Sequence, residues 1–307
     1  WKPIEDYNQI EPKDGLDIYT TIDVNIQDIA HHALLEQLEK RFNLWFVPMA
    51  NPDGNWLSMR RAHADSYGKK NGRNTDGTCE SFAYEGIDLS NNFPRRNADV
   101  QLEAEVQALV ELVQSRNFVL GLSFHSGGNG FYTPPVPMSQ QDQDRQLIHQ
   151  FTTDLKDSIA EMEVKPLLRT TDLREVAWLY EEQGIPAFVF DYPNDIAPMD
   201  RAIRLKSRTW TQSFLRDFWT ALEAKAFVQG VVVDQEGNPI QASLHKTQSL
   251  RKEQTWHTAE NGSFSLIFPK KEIVQLKIRA EGFLVAEKRI DLREGRTKVR
   301  IILQKEE

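Results

Sequence analysis

The feature that most constrains the fold of this chain is a change in hydrophobic period near residue 226. Before it, short apolar runs alternate with segments of helical period, which is typical of a mixed, mostly parallel sheet with helices on both faces. The runs lie at 17–22, 44–49, 118–124 and 187–190, and the helical segments at 24–40, 102–113, 147–162 and 202–222. The run 118–124 is continuous enough to predict a strand buried on both faces.

Beyond that point, five short apolar runs are separated by turns rich in Gly, Asn and Pro. This spacing predicts a small all-β sandwich. The charge changes at the same place, since residues 226–307 carry 14 Lys and Arg against 11 Asp and Glu, while the whole chain has a net charge of −8. We therefore expect two domains, residues 1–225 and 226–307.

Composition excludes several classes of function. An acidic chain does not offer the basic face that a nucleic-acid-binding protein needs. No apolar run is long enough to span a membrane, and no signal peptide is recognisable. A single cysteine, Cys79, rules out an internal disulfide.

Polar residues follow the predicted strands where ligands usually bind. Asp23, His125 and Asp191 each stand at the carboxyl end of an apolar run. A histidine with two carboxylates could bind a metal or perform acid–base chemistry. Asp23 also fits a helix N-cap, and Asp191 a turn. The sequence predicts one cleft lined by Asp23, Lys69, Ser90, Asn91, His125 and Asp191.

Four motifs in this order resemble those of the zinc metallocarboxypeptidases. They are "PMANPDG", "GIDLSNNFP", "LSFHSGG" and "YEEQGIPAFVFD", at residues 48–54, 86–94, 122–128 and 180–191. Residues 226–307 resemble the transthyretin-like module of the regulatory subfamily. Residues 1 to about 40 resemble the start of a penicillin-binding protein transpeptidase domain, but no Ser-x-x-Lys nucleophile follows.

The resemblance implies a zinc site whose ligands are only partly retained. The family binds zinc through an early His-x-x-Glu pair and a later histidine. His125 matches the later histidine, while the early pair falls on Asp23 and Ile26. Because the Ile26 side chain has no donor atom, we expect zinc to be bound weakly or not at all.

The substrate-binding residues implied by the resemblance are also altered. The family's Asn-Arg pair, which binds the substrate carboxylate, falls on Ser90 and Asn91, and a second arginine falls on Lys69. The catalytic glutamate falls on Asp191, which is one methylene shorter. Loss of an arginine fork removes a charge-assisted bidentate hydrogen bond.

Three hypotheses follow. The first is a carboxypeptidase-like protein with a degraded site, inactive or weakly active, that binds peptides, protein C-termini or glycans. The second is an active zinc carboxypeptidase whose metal ligands are displaced. The third is a structural module that interacts through its sandwich. The resemblance implies a secreted or periplasmic location.

Overall fold

The computed structural model describes most of the chain from residue 86 onward. The described residues are 45, 47, 50–51, 86–94, 100–126, 129–134, 143–160, 162–166, 174–192, 201–246 and 256–306. The chain divides into two compact units, residues 1–48 and 49–307. Every element below lies in the second unit. A boundary at residue 226 stays a prediction, as does the origin of residues 1–40, most of which lie outside the described residues.

A mixed sheet of four strands organises the described residues before 226. In space the order is β1-β4-β2-β3, with β1–β4 and β2–β3 parallel and β2–β4 antiparallel. The strands are β1 (Gly121–Ser126), β2 (Gly130–Thr133), β3 (Glu163–Pro166) and β4 (Ala187–Tyr192). The helices are α1 (Ala104–Gln114), α2 (Gln143–Asp154), α3 (Arg174–Glu181) and α4 (Arg201–Glu223).

Strand β4 carries much of the core of this region. Successive strand residues point to opposite sides, so neighbours on β4 contact different helices. Val189 packs with Val176 of α3. Phe190 lies against Phe214 of α4, with ring centroids 4.1 Å apart, and Phe188 packs edge-on against Phe218. The four-residue spacing of the two α4 phenylalanines places both rings on the same side of that helix.

The region after residue 225 is rich in strands, as predicted. Two sheets have the orders β10-β9-β6-β7 and β11-β5-β8, and their buried side chains, among them Leu244, Phe264 and Leu276, form one core. The strands are β5 (Ala226–Val233), β6 (Ser243–Lys246), β7 (Trp256–His257), β8 (Ser263–Phe268), β9 (Ile273–Arg279), β10 (Ala286–Asp291) and β11 (Arg296–Ile302).

The expectation of a mixed α/β fold followed by a β-rich region is thus confirmed. The prediction that residues 118–124 form a strand buried on both faces is wrong, since the strand begins at Gly121, residues 118–123 are half-buried and Phe124 is 48% exposed. In the described sheet β1 is an edge strand, so its side chains have fewer neighbours. Within the described ranges, no helix is both long and apolar enough to cross a membrane.

Candidate active site

Two of the predicted site residues are neighbours in the sheet. His125 of β1 and Asp191 of β4 are register partners in a parallel pair, so their Cα atoms lie about 4.8 Å apart and their side chains leave the same face. Asp191 is only 4% exposed. This placement follows from the rule that parallel strands end at the same edge of a sheet.

His125 is bound by a residue that the sequence did not single out, Glu175 in the first turn of α3. The Nε2 atom of His125 lies 2.7 Å from Oε1 of Glu175, and the two side chains are 12% and 10% exposed. The Ser123 hydroxyl donates to the same oxygen at 3.3 Å. Such a buried contact between an imidazole and a carboxylate fixes the orientation of the ring.

The second carboxylate oxygen of Glu175 lacks a hydrogen-bond donor among the described residues. This atom, Oε2, is buried. A buried carboxylate oxygen without a donor costs free energy, so such atoms often mark sites where another group binds. In the sequence, the one local feature that could have pointed to Glu175 is its position directly before the apolar run Val176-Ala177-Trp178.

The loop of residues 86–94, which we call the asparagine loop, contains two further predicted site residues. Leu89–Asn91 forms a turn of 3-10 helix capped by Asp88. The backbone N–H and the hydroxyl of Ser90 donate to Oδ1 of Asp88 at 3.0 and 2.7 Å. The side-chain Nδ2 of Asn91 donates to Oδ2 of Asp88 at 3.2 Å. Ser90 and Asn91 are therefore both bonded to a carboxylate inside their own loop.

Asn92, the next residue, has a structural role. It is buried, its Oδ1 accepts from the backbone N–H of Glu103 at 2.7 Å, and its Nδ2 donates to the carbonyl of Gln101 at 3.1 Å. These bonds tie the asparagine loop to the start of α1. The two consecutive asparagines thus differ, since only Asn91 belongs to the predicted site.

Helix α3 links the asparagine loop to His125. The Phe93 ring lies 5.5 Å from the Trp178 ring, and Leu89 joins the same cluster. Trp178 and Glu175 are three residues apart, so they lie on the same side of the helix. One short helix thus positions both the loop and the histidine.

The remaining predicted site residues, Asp23 and Lys69, lie outside the described residues, as does Ile26. Within the ranges that are described, no group of three or more His, Cys, Asp or Glu side chains is arranged to bind a metal. A catalytic zinc needs three protein ligands. His125 and Glu175 together do not supply them, so the described residues alone do not fit zinc.

The chain is weakly similar to several solved structures. A streptococcal ancillary pilin is 14% identical over 27% of this chain and 33% of its own, with a TM-score of 0.21. The 3-chlorocatechol 1,2-dioxygenase of Rhodococcus opacus 1CP is 16% identical over 26% and 59%, with a TM-score of 0.20. The chain spans less than two thirds of either protein, and scores this low support no argument.

Comparison with sequences is more informative. The chain matches none of the curated proteins. The family model described as zinc carboxypeptidase matches residues 24–194, which is more than half of the chain.

Proposed function

Since the chain belongs to the zinc carboxypeptidase family, we propose that it is a carboxypeptidase-like protein with little or no peptidase activity that binds peptides without requiring a free C-terminus. The observation that carries this proposal is the chemistry of the asparagine loop. Ser90 and Asn91 are neutral, and both donate hydrogen bonds to the Asp88 carboxylate.

A substrate carboxylate would meet an unfavourable environment in this loop. Hydrogen bonds to charged groups contribute roughly 1.5–3 kcal/mol each, more than those between neutral groups. An arginine fork would offer two such bonds, whereas Asn91 offers one neutral amide. The carboxylate of Asp88, which accepts from that amide, carries the same charge as the substrate carboxylate and repels it. We infer that a free C-terminus gives a peptide no advantage here.

The contact between His125 and Glu175 supports loss of the chemistry. Zinc would have to compete with a carboxylate 2.7 Å away for the Nε2 atom of His125. If the metal used the other ring nitrogen, Glu175 would instead orient a ligand, as carboxylates do in many zinc sites. Zinc supplies a Lewis acid and an activated water when bound, and metal analysis distinguishes these two roles of Glu175.

Several finer features belong to the same proposal. We propose a mostly parallel sheet covered by helices on both sides, a transthyretin-like fold for residues 226–307, and a secreted or periplasmic location. The packing of Val189 with α3 and of Phe190 with α4 supports helices on both sides of the sheet. The single core shared by the two sheets after residue 225 supports the transthyretin-like fold.

Metal content and hydrolysis test the loss of activity. Protein purified without added metal should contain far less than one zinc per chain by elemental analysis. It should release few or no C-terminal residues from a mixed peptide library, followed by mass spectrometry, even with added zinc. About one zinc per chain together with rapid release, both lost in the variant His125→Ala, would overturn the proposal in favour of an active peptidase.

Peptide binding tests the rest. A peptide with a free C-terminus and its amidated form should bind with dissociation constants within about threefold of each other in isothermal titration calorimetry. The variant Asn91→Arg should favour the free carboxylate by about tenfold, as expected for one charge-assisted contact. Strong discrimination by the native protein, or no binding of either peptide, would contradict the proposal.

A further inference from the structure

The outer face of the sheet β10-β9-β6-β7 has a row of three polar residues. Arg279 of β9, Ser243 of β6 and His257 of β7 are register partners across three neighbouring strands. They line a groove of about 390 Å³, which we call the arginine–histidine groove. With strands about 4.8 Å apart, Arg279 and His257 stand about 10 Å from each other on either side of Ser243.

The donors that remain available are at the two ends of this row. The Ser243 hydroxyl already donates to the carbonyl of Arg279 at 3.2 Å, and its small side chain leaves the middle of the groove open. The Thr258 hydroxyl, at the buried wall, is bonded to backbone groups. By contrast, the Arg279 guanidinium forms no ion pair within the described part of the chain. Gln241 adds an amide at the edge.

Charges of both signs surround the groove, and Arg279 is the cation among the residues that line it. The next row of the sheet pairs His245 with Lys277, and the carboxylate opposite Lys277, that of Glu287, accepts from the amide of Gln275. Burial, and then the charges of Arg279, His257 and Lys277, hold the pKa of His245 below its usual value.

The pKa of His257 is also below its usual value. Burial lowers its pKa, so its ring is largely neutral near pH 7. Besides Arg279, the charged groups that border it are Glu281 at the rim of the groove, and Arg116 and Glu182 in a second groove of about 370 Å³.

We propose that the arginine–histidine groove binds a phosphate group, with the Arg279 fork on one side, the His257 imidazole on the other and the anion above Ser243. A guanidinium binds two phosphate oxygens at once, and an imidazole can donate to a third. The space left by Ser243 suits a tetrahedral anion, and the charge of the Arg279 guanidinium favours one. Among the described residues that line the groove, Glu281 is the carboxylate that opposes it. This site is independent of the function proposed above.

Nuclear magnetic resonance titration of the histidine rings tests the proposal, with inorganic phosphate as the probe and the full chain as the sample. Phosphate should raise the pKa of His257 in a saturable manner, because the bound anion favours the protonated ring. The variant Arg279→Gln should weaken phosphate binding at least tenfold. The matched control Arg289→Gln, which removes an exposed arginine from the same sheet two rows away, should leave binding unchanged.

A further variant and a second anion extend the test. Glu281→Gln should tighten phosphate binding, because it removes a carboxylate from the rim. Acetate at equal ionic strength should shift the His257 pKa much less than phosphate does. A His257 pKa that does not respond to phosphate, an equal response in Arg279→Gln, or an equal response to acetate would each overturn the proposal.

Discussion

At the scale of single residues, Glu175 matters most to the candidate site. Its contact with His125 joins residues 50 positions apart, and no local pattern predicts such a pair. The adjacency of His125 and Asp191 was predictable, because it follows from where parallel strands end. The geometric rule thus identifies the edge of the sheet, whereas the partner of the histidine depends on how α3 packs.

Replacing Glu175 by Gln tests how strongly the pair contributes to stability. The amide loses the charge-assisted bond to His125, so the free energy of unfolding should fall by about 2 kcal/mol in urea denaturation. Ser123→Ala, which removes only a 3.3 Å contact to the same carboxylate, should cost less than about 1 kcal/mol. Equal stability of Glu175→Gln and the native protein would mean that the pair contributes nothing.

The lowered pKa of His245 predicts a pH dependence of stability. Its native pKa lies below the ordinary 6.5, so as the pH falls the unfolded chain binds a proton before the folded chain does. The free energy of unfolding should therefore decrease from pH 7.5 through 6.5 until the native pKa is reached. His245→Gln should reduce this slope but not abolish it, because the lowered pKa of His257 contributes in the same direction, and Arg279→Gln should reduce it as well. A slope in His245→Gln as steep as in the native protein would contradict the assignment.

At the scale of elements, the sequence predicts two of the long helices well. The apolar period of 102–113 and 202–222 locates α1 and α4 to within two residues. The predicted bounds 147–162 are wrong for α2, which begins at Gln143 and ends at Asp154. Helix α3 has eight residues, and β2 and β3 have four each. Such segments contain too few periods for a pattern to stand out, and they form because their neighbours cover them.

Trp178 tests whether α3 holds the asparagine loop. Its ring is buried between Phe93, Leu89 and the α1 residues Val106 and Val110. Trp178→Ala should lower the free energy of unfolding by about 3–5 kcal/mol, and amide hydrogen exchange in the loop should become faster. Leu284→Ala, at a position 50% exposed, is the control and should have little effect on either measurement.

Asp88 allows charge to be separated from structure within the loop. Asn at this position keeps an oxygen that can cap the 3-10 turn, while Ala removes the cap at a cost of about 1 kcal/mol. Asp88→Asn should also strengthen binding of peptides with a free carboxylate relative to amidated ones, because the like charge is gone. Thermal unfolding and calorimetry measure the two effects, and an unchanged preference in Asp88→Asn would show that this charge does not reach the ligand.

At the scale of the whole molecule, the α/β region and the β-rich region share a buried ion pair. Lys246 of β6 lies 2.8 Å from Asp144 of α2, and the two side chains are 2% and 0% exposed. The Lys246 ammonium also donates to the carbonyl of Ile267 at 3.1 Å and lies over the rings of Trp256 and Phe268. The Trp256 indole in turn donates to the carbonyl of a glycine between α3 and β4.

The composition shift at residue 226 predicts two regions but not how they join. Strand alternation could have placed Lys246 on the inner side of β6 with Leu244. It could not have identified Asp144, which is 102 residues away. A buried lysine is stable only with such a partner, so the partner's presence follows from physics even though its identity does not.

The ion pair predicts a non-additive pattern of variants. Asp144→Asn or Lys246→Met alone leaves a buried charge without compensation and should lower the free energy of unfolding by about 3–5 kcal/mol. The double variant Asp144→Asn, Lys246→Met removes both charges and should be less destabilised than the sum of the two single variants. Because the pair spans both regions, each single variant should shift the denaturation curves from circular dichroism and tryptophan fluorescence together. Additive losses would mean that Asp144 and Lys246 do not stabilise each other. A shift in one of the two denaturation curves alone would mean that the regions unfold independently.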